Sequence, residues 1–294
     1  MSTQITTAFV EQYSANVQAL LQQKGSKLRG LVPSETIIGK SAFYDQIGTV
    51  AAVKKTSRHA DTPQMDTPHK RRKITTETYH WADLIDNDDK VKLLIDPTSE
   101  YANAAAWAMG RAIDEVIVDA AFGTAWTGEA GNEAVEFPSS QIIDSSGTNG
   151  FTFDKLREVK RMFDGKDVPS EGRYIVLTAY QMDDLLSETK VTSADYAAAK
   201  ALVRGEVDNF MGFRFVSVNG KRGNGSLIVP ATGATRHCLA FQADGIKLGI
   251  GQDIVGKITE RDDKCFATQV YYEMGLGATR MQEEMVIKVN CKES

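Results

Sequence analysis

Five side chains in the first third of the chain are of the types that bind transition metals: His59, Asp61, His69, His80 and Asp83. Imidazole and carboxylate groups are the ligands that zinc or iron recruits in hydrolytic sites. The first three lie in a polar, proline-containing stretch, where we expect the backbone to be too mobile to hold catalytic groups within a fraction of an ångström. We therefore predict no metal site, and keep a metal-dependent hydrolase as the alternative from the class of enzymes.

Other patterns typical of binding or catalysis are incomplete. The acidic run from Asp86 to Asp89 resembles the start of a calcium loop, but Val91 and Pro97 replace the required glycine and glutamate. The glycine pairs at 249 and 251 and at 275 and 277 do not open helices. Neither a phosphate-binding GxxxxGK[ST] loop nor a Gly-x-Ser-x-Gly nucleophile elbow occurs. The sequence therefore predicts neither a catalytic site nor a bound cofactor.

Charge is segregated along the first hundred residues. From Lys54 to Lys73 seven basic residues stand against two acidic ones, a net charge of +5, and from Asp83 to Glu100 six acidic residues stand against two basic ones, a net charge of −4. The segments could pair within one chain, or one subunit's basic segment could cross the next subunit's acidic segment, where charge complementarity would set register and assembly rate. The candidate inter-subunit residues are Arg58, Lys70, Arg71, Arg72, Lys73, Asp83, Asp86, Asp88 and Asp89. Contact of the basic residues with nucleic acid is a further alternative.

Composition is typical of a folded protein without specific nucleic-acid binding. Of 294 residues 42% are hydrophobic and 25% charged, and the formal net charge of −5 is not the basic excess that binding to a nucleic-acid backbone requires. The three cysteines, Cys238, Cys265 and Cys291, are widely spaced, as expected for small buried apolar groups in a reducing cytoplasm. We find no signal-peptide pattern and no apolar stretch of about 18 residues, and expect no membrane association.

The elements that must position these residues begin with an amphipathic helix and a two-stranded arm. Apolar residues at three- and four-residue steps predict a helix from Thr7 to Lys24, ended by Gly25. Two stretches rich in β-branched and aromatic residues, Ser41 to Val53 and Lys73 to Leu84, predict a long arm with a polar tip from Lys54 to Arg72. An isolated pair of strands is only marginally stable in water, so we expect the arm to lie on another structure.

A long helix and an α/β unit follow. The pair Asp96-Pro97 is a helix-start signal, and the alanine-rich stretch to about Ala121 predicts one helix, in which Gly110 is either tolerated or marks a close contact. The next predicted elements are a helix from Phe153 to Phe163, a strand from Arg173 to Leu177, a helix opened by a capping box of Thr178 and Gln181, a helix from Ala194 to Val203, and strands from Gly212 to Val218 and Cys238 to Phe241. Three antiparallel strands are predicted to form a small final sheet, Ile254 to Glu260, Cys265 to Met274 and Met285 to Cys291. The fold class is therefore α+β.

Several runs between Arg58 and Arg111 resemble the major capsid proteins of tailed bacteriophages. They are Arg58-His59-Ala60-Asp61-Thr62-Pro63, Asp66-Thr67-Pro68-His69, Trp81-Ala82-Asp83-Leu84-Ile85-Asp86, Ile95-Asp96-Pro97-Thr98-Ser99 and Ala104-Ala105-Ala106-Trp107-Ala108-Met109-Gly110-Arg111. The likeness is specific over these runs and architectural elsewhere. It implies the HK97-like fold, a structural virion protein without enzymatic activity, and self-assembly into hexamers and pentamers of an icosahedral head enclosing double-stranded DNA.

By the same likeness the chain divides into five parts. They are an N-terminal arm with the amphipathic helix over 1–38, an extended E-loop hairpin over 39–85, a peripheral domain with a long spine helix over 86–139, an α/β axial domain over 140–249, and strands returning to the peripheral domain over 250–294. The implied partners are copies of itself, scaffolding and portal proteins, and packaged DNA through non-specific contacts, in a virion made in the bacterial host cytoplasm. An encapsulin-like nanocompartment shell protein, which shares the fold but encloses a protein cargo, is the alternative within this fold.

Overall fold

The computed structural model describes residues 22–58, 64–86, 98–144, 146–187 and 209–293, which form an α+β fold. The α-helices of these residues are α1 (Thr98–Phe122), α2 (Phe153–Asp164) and α3 (Ala179–Ser187). The strands are β1 (Ser34–Thr36), β2 (Ser41–Ile47), β3 (His69–Thr75), β4 (Glu77–Ile85), β5 (Ala125–Thr127), β6 (Glu133–Val135), β7 (Ile142–Ile143), β8 (Arg173–Leu177), β9 (Asn209–Phe210), β10 (Phe213–Ser217), β11 (Ala231–Thr232), β12 (Thr235–Gln242), β13 (Ile246–Arg261), β14 (Ala267–Arg280) and β15 (Val286–Lys292).

Helix α1 packs against the core through one stripe of buried apolar side chains. Ala105, Met109, Ile113 and Ile117 recur every four residues and are almost fully buried. The last three belong to a core that α1 shares with β13, β14 and one face of the seven-stranded sheet. The predicted alanine-rich helix ending near Ala121 is confirmed over the described residues. None of the described helices combines the length and the hydropathy that crossing a bilayer requires.

The first sheet has the strand order β1-β13-β14-β4. Strands β13 and β14 form a long antiparallel hairpin whose register runs from Ile246 opposite Arg280 to Arg261 opposite Ala267. Strand β4 covers the other side of β14, whereas β1 pairs with β13 only as far as Ile250. Within the described part of the chain, the outer edge of β13 is therefore unpaired along its second half.

The seven-stranded sheet has the order β7-β15-β12-β8-β10-β9, with β11 added beside β12. Strands β8 and β10 are parallel, and β12 is antiparallel to both of its neighbours β8 and β15. One face buries Leu156, Val159 and Phe163 of helix α2, and the other shares the core of α1. Because both faces are covered, the central strand β12 is buried at consecutive positions rather than at alternate ones: all residues from His237 to Gln242 are buried, and Cys238 to Phe241 are apolar.

The third sheet, in the order β2-β3-β5-β6, carries the arm. Strands β2 and β3 are antiparallel, with Ser41 opposite Thr75 and Ile47 opposite His69. The other edge of β3 pairs with β5. We call Ser41–Thr75 the β-arm, and Ile47 together with the connecting residues 48–58 and 64–68 the arm tip.

The arm is present, but the predicted pairing of its strands is wrong. The predicted second strand, Lys73 to Leu84, contains parts of two strands: β3 pairs with β2, whereas β4 pairs with β14 in a different sheet. The predicted polar tip is also too long, since the residues from His69 to Arg72 belong to β3. Local periodicity identifies a strand but not its partner, because pairing depends on residues that are distant in sequence.

The predicted final sheet is wrong in its last strand. The antiparallel pair of β13 and β14 is confirmed. Strand β15 instead pairs with β12 and completes the seven-stranded sheet. The segment from Val286 to Lys292 therefore belongs to the same sheet as the strands of the α/β unit.

The other predicted elements are confirmed where the structure describes them. Helix α2 and strands β8, β10 and β12 lie at the predicted positions. Half of the capping box is present, because the Thr178 backbone N–H donates to Gln181 Oε1 at 3.2 Å. The predicted helix from Ala194 to Val203 lies outside the described residues. The predicted helix from Thr7 also lies outside them, apart from residues 22–24, which are not helical.

Candidate interaction surface

The arm tip exposes large apolar side chains. Ile47, at the end of β2, is 71% exposed, and Val50, Val53 and Met65 are 56%, 61% and 48% exposed. The two sides of the arm are still joined at the start of the tip, where the Gly48 N–H donates to the Pro68 carbonyl at 2.8 Å. Grouped apolar side chains on a protruding ribbon are typical of a protein contact surface.

Basic side chains extend the same surface. Lys54, Lys55 and Arg58 in the tip and Lys70 at the start of β3 are exposed. Among the described residues, none of these four forms an ion pair. The arm tip therefore combines apolar contacts with free positive charge, which matches a partner surface that is partly apolar and acidic.

Arg72 anchors the base of the β-arm to its own chain. Its side chain is 4% exposed. The guanidinium donates to Glu283 and, through Nε, to the Met281 carbonyl at 3.1 Å. Gln46 Nε2 donates to the same carbonyl at 2.9 Å. Arg72 is consequently bound within its own chain, which gives no support to its inclusion among the candidate inter-subunit residues.

Arg71 and Lys73 point to the opposite, outward face, because neighbouring residues of a strand alternate between faces. Arg71 Nε donates to Asp45 at 2.7 Å, and this hydrogen bond lowers the pKa of Asp45. Both cations also lie over the Phe43 ring, at 5.4 Å and 5.9 Å from its centroid. Trp126 is opposite Lys73 and is exposed on the same face. This face is aromatic and cationic, but Arg71 already has a partner.

The acidic candidates lie at a different edge. Asp83 is exposed on β4 and accepts a hydrogen bond from the Leu84 N–H at 2.8 Å, and Asp86 is exposed just after the strand. Asp88 and Asp89 lie outside the described residues. Strands β3 and β4 belong to different sheets, and within the described ranges no ion pair joins the basic segment to the acidic one. The interpretation that the two segments pair within one chain gains no support.

The proposed metal ligands are not brought together. His69 lies on β3, and His80 stacks on Tyr271 in the first sheet with ring centroids 6.5 Å apart. Asp83 is three residues from His80 on β4, so the two side chains point to opposite faces. His59 and Asp61 lie outside the described residues. The described part of the chain holds no group of three His, Cys, Asp or Glu residues that could bind a metal ion.

A second exposed surface, on the β13–β14 hairpin, was missed by the sequence reasoning. Val255, Ile258 and Phe266 are exposed there, and Cys265 and Phe266 adopt left-handed backbone conformations at the turn, with φ of 50° and 58°. Val255 and Ile258 are three residues apart in a strand and so lie on opposite faces. This spacing could have indicated the surface from the sequence. A strand with apolar residues on both faces either packs against other elements on both sides or exposes apolar side chains on one side.

The cysteines divide between the core and this turn. Cys238 and Cys291 are fully buried, as predicted, whereas Cys265 is exposed and its predicted burial is wrong. A contact with the Cys291 thiol, together with burial, raises the pKa of Cys238. The two buried thiols are therefore core groups on neighbouring strands rather than reactive ones.

Comparison with known proteins identifies a family and related folds. The model of a family described as phage capsid protein matches residues 5–293. No curated protein sequence matches. The capsid structure of the cyanophage P-SCSP1u is 18% identical, with a TM-score of 0.71 over 100% of this chain and 96% of that one. The capsid of Ralstonia phage GP4 is 11% identical, with a TM-score of 0.70 over 96% and 94%. A structure from Mycobacterium phage Che8 is 17% identical, with a TM-score of 0.66 over 94% and 95%. At such identities the structural likeness concerns the fold.

Proposed function

Because the chain belongs to the phage capsid protein family and is a structural protein of an icosahedral head with the HK97-like fold, we propose that its copies associate through the β-arm. The proposed products are hexamers and pentamers that close around double-stranded DNA. Scaffolding and portal proteins are proposed as further partners, and the host cytoplasm as the place of synthesis. We propose no catalytic activity for this chain.

The observation that carries the proposal is the exposed arm tip. Ile47, Val50, Val53 and Met65 face solvent on a ribbon, although burying such side chains contributes about 25 cal/mol for each Å² removed from water. Folding of a single copy leaves about half or more of each of these side chains in water. Association with a second copy would cover these side chains and supply the neighbouring structure that a long ribbon lacks.

The proposed receiving surface is the acidic edge near β4 of the next copy. Asp83 and Asp86 are exposed there, and Asp88 and Asp89 follow in the sequence. On the basic side we retain Arg58 and Lys70 and add Lys54 and Lys55, which have no ion-pair partner among the described residues. Arg71 and Lys73 contribute less, because Arg71 is paired with Asp45 and both lie over Phe43.

The net charge of the chain and its family indicate what the shell encloses. The net charge of −5 favours weak, non-specific contact with packaged DNA over specific binding. The match to the phage capsid family supports a container for a genome rather than a nanocompartment for a protein cargo. DNA inside purified heads, and no co-purifying enzyme, is the result expected for this assignment.

Charge reversal at the arm tip tests the proposed contact. The triple variant Lys54→Glu, Lys55→Glu, Arg58→Glu should yield at least about tenfold fewer closed particles than the unmodified chain, because like charges would then face each other across the interface. Particles are counted by negative-stain electron microscopy and by sedimentation after expression. The subunit's circular dichroism should not change, since these side chains are exposed.

The matched control keeps the charge at the same positions: Lys54→Arg, Lys55→Arg, Arg58→Lys. This variant should assemble normally. Equal particle yields from the charge-reversed and charge-conserving variants would contradict a docking role for the basic tip. Arg72 is not a suitable site for this test, because its substitution would break the buried contact with Glu283.

A further inference from the structure

Residues 22–28, which we call the strap, cross helix α1 against a single stripe of the helix. The stripe consists of Trp107, Gly110, Arg111 and Asp114, at the three- and four-residue spacing of one helical face. Lys24 lies over the Trp107 ring at 5.3 Å from its centroid. Every residue of this stripe contacts the strap, so the helix face is shaped for this segment.

Asp114 is the main anchor of the strap. Its side chain is fully buried, where an unpartnered carboxylate would be very unfavourable. It accepts hydrogen bonds from Ser26 Oγ at 2.5 Å, from the Lys27 N–H at 3.0 Å and from the Leu28 N–H at 2.9 Å. Gln23 Nε2 donates to the same carboxylate at 2.5 Å. One carboxylate thus binds four donors of the strap, from Gln23, Ser26, Lys27 and Leu28, and bonds to a charged acceptor are of the stronger kind.

Gly110 lets the strap lie directly on the helix. A Cβ added at Gly110 would stand 2.5 Å from the Cα and carbonyl carbon of Gly25, closer than van der Waals contact allows. Gly25 itself has φ of +70°, a conformation that favours glycine. The close contact that the sequence offered as one explanation of Gly110 is therefore present, and its partner is the strap.

The strap also touches the seven-stranded sheet. Lys27 Nζ donates to the carbonyl of Ser217, at the end of β10, at 2.7 Å. A Cβ at Gly220 would stand 2.5 Å from Gln23 Oε1, so the loop after β10 packs against the strap as well. Leu28 is fully buried in the core between α1 and this sheet. The strap is therefore bound on one side by α1 and on the other by the α/β unit.

We propose that the strap is a brace that locks helix α1 to the seven-stranded sheet, and that a subunit without this lock closes shells much less efficiently. Helix α1 carries the first sheet, while the seven-stranded sheet forms the other half of the subunit. A shell repeats one subunit geometry many times, so a small rotation between the two halves accumulates around it. The second part of the proposal rests on the proposed function, whereas the brace itself does not.

Two variants test the brace in the full-length chain. Gly110→Ala and Asp114→Asn should each make trypsin cut after Lys24 and Lys27 about tenfold faster, because the strap is released while the rest of the subunit stays folded. The same variants should lower the yield of closed particles at least about fivefold, as counted by electron microscopy. Ser26→Ala removes a single donor and keeps the test informative if a stronger variant fails to fold; we expect about threefold faster cleavage.

The controls change the same residue types at sites without these contacts. Gly30→Ala adds its methyl group to open space, and Asp263→Asn removes an exposed ion pair with Arg261 at the turn of the β13–β14 hairpin. Both should match the unmodified chain. Unchanged cleavage in all three strap variants would refute the brace, and fast cleavage with normal particles would refute its need in assembly. If the unmodified chain forms no particles, the proposed function fails, and the cleavage rates still decide the brace.

Discussion

The β-arm differs from the rest of the described subunit, which we call the body, in the surroundings of its basic and apolar side chains. In the body, Arg280 is fully buried and bonded within its own chain: its two Nη atoms donate to the carbonyls of Ala121, Gly123 and Val135 at 2.7 to 3.1 Å. On the arm, Lys54 and Lys55 remain in solvent, beside exposed valines. The difference indicates that a single copy completes the body but leaves the arm unsatisfied.

The base of the arm is the boundary between these two regions. Arg72, within the arm, is buried and tied to Glu283 of the body. Two residues earlier, Lys70 is exposed without an ion pair among the described residues. Within three residues of one strand, the basic side chains therefore change from exposed to solvent to buried and bonded within the chain. Variants on the two sides of this boundary should separate folding from assembly.

Removing a core side chain from the body should have the largest effect on folding. Phe163, on helix α2, is fully buried. The centroid of its ring lies 5.9 Å from that of Phe213 on β10. Phe163→Ala should lower the free energy of unfolding by about 3 to 5 kcal/mol, measured by urea denaturation. Phe43→Ala on the arm is the matched control and should cost less than about 1 kcal/mol, because that ring is partly exposed. Equal losses at the two sites would remove the distinction between body and arm.

Acid should weaken the body through one buried ion pair. Lys155 Nζ lies 2.9 Å from Asp144 Oδ2 and donates to the carbonyls of Asn149 and Asn290 at 2.7 Å. Burial alone would raise the pKa of Asp144, but hydrogen bonds from Lys155 and Ser146 outweigh it and lower this pKa to about 2. Because the folded-state pKa lies below the unfolded one, the stabilisation is complete above about pH 4 and is lost as the pH falls towards 2.

This loss should amount to about 1 to 2 kcal/mol, after allowance for solvent screening. The measurement is the free energy of unfolding at a series of pH values between about 5 and 2. Asp144→Asn should be less stable at neutral pH and should lose this part of the pH dependence. A variant whose stability follows pH as the unmodified chain does would show that another group is responsible.

Polar substitutions on the arm should have the smallest effect on folding and a clear effect on assembly. Ile47→Ser with Val53→Ser should change the free energy of unfolding of the subunit by less than about 0.5 kcal/mol, because both side chains are exposed in a single copy. The protein concentration at which particles appear, measured by light scattering, should rise about tenfold or more, because the contact loses apolar area.

The conservative pair Ile47→Val with Val53→Ile keeps the arm apolar and should assemble like the unmodified chain. If the serine variant also assembles at an unchanged concentration, the exposed side chains of the arm tip are not part of the contact. If it instead unfolds the subunit, the arm belongs to the body and the comparison fails.

The sequence predicted those elements whose signal is contained in one continuous segment. Helix α1 follows from its alanine-rich stripe, strand β8 from a short apolar run, and strand β10 from an alternating pattern. The family resemblance drawn from the runs between Arg58 and Arg111 is confirmed by the match over residues 5–293. The predictions of this helix and these strands are correct because their formation depends mainly on residues close in sequence.

Only the tertiary structure decided which strands pair and which charges are buried. Nothing in the stretch from Lys73 to Leu84 separates β3 from β4, yet the two belong to different sheets. Within the basic run, Arg72 is buried and Arg71 is not, because the register of β3 turns alternate side chains towards Glu283 or towards solvent. The positions of Asp114 and Gly110 under the strap likewise depend on residues about 85 positions away. Contacts over such separations are set by the packing of the whole chain, which local sequence does not encode.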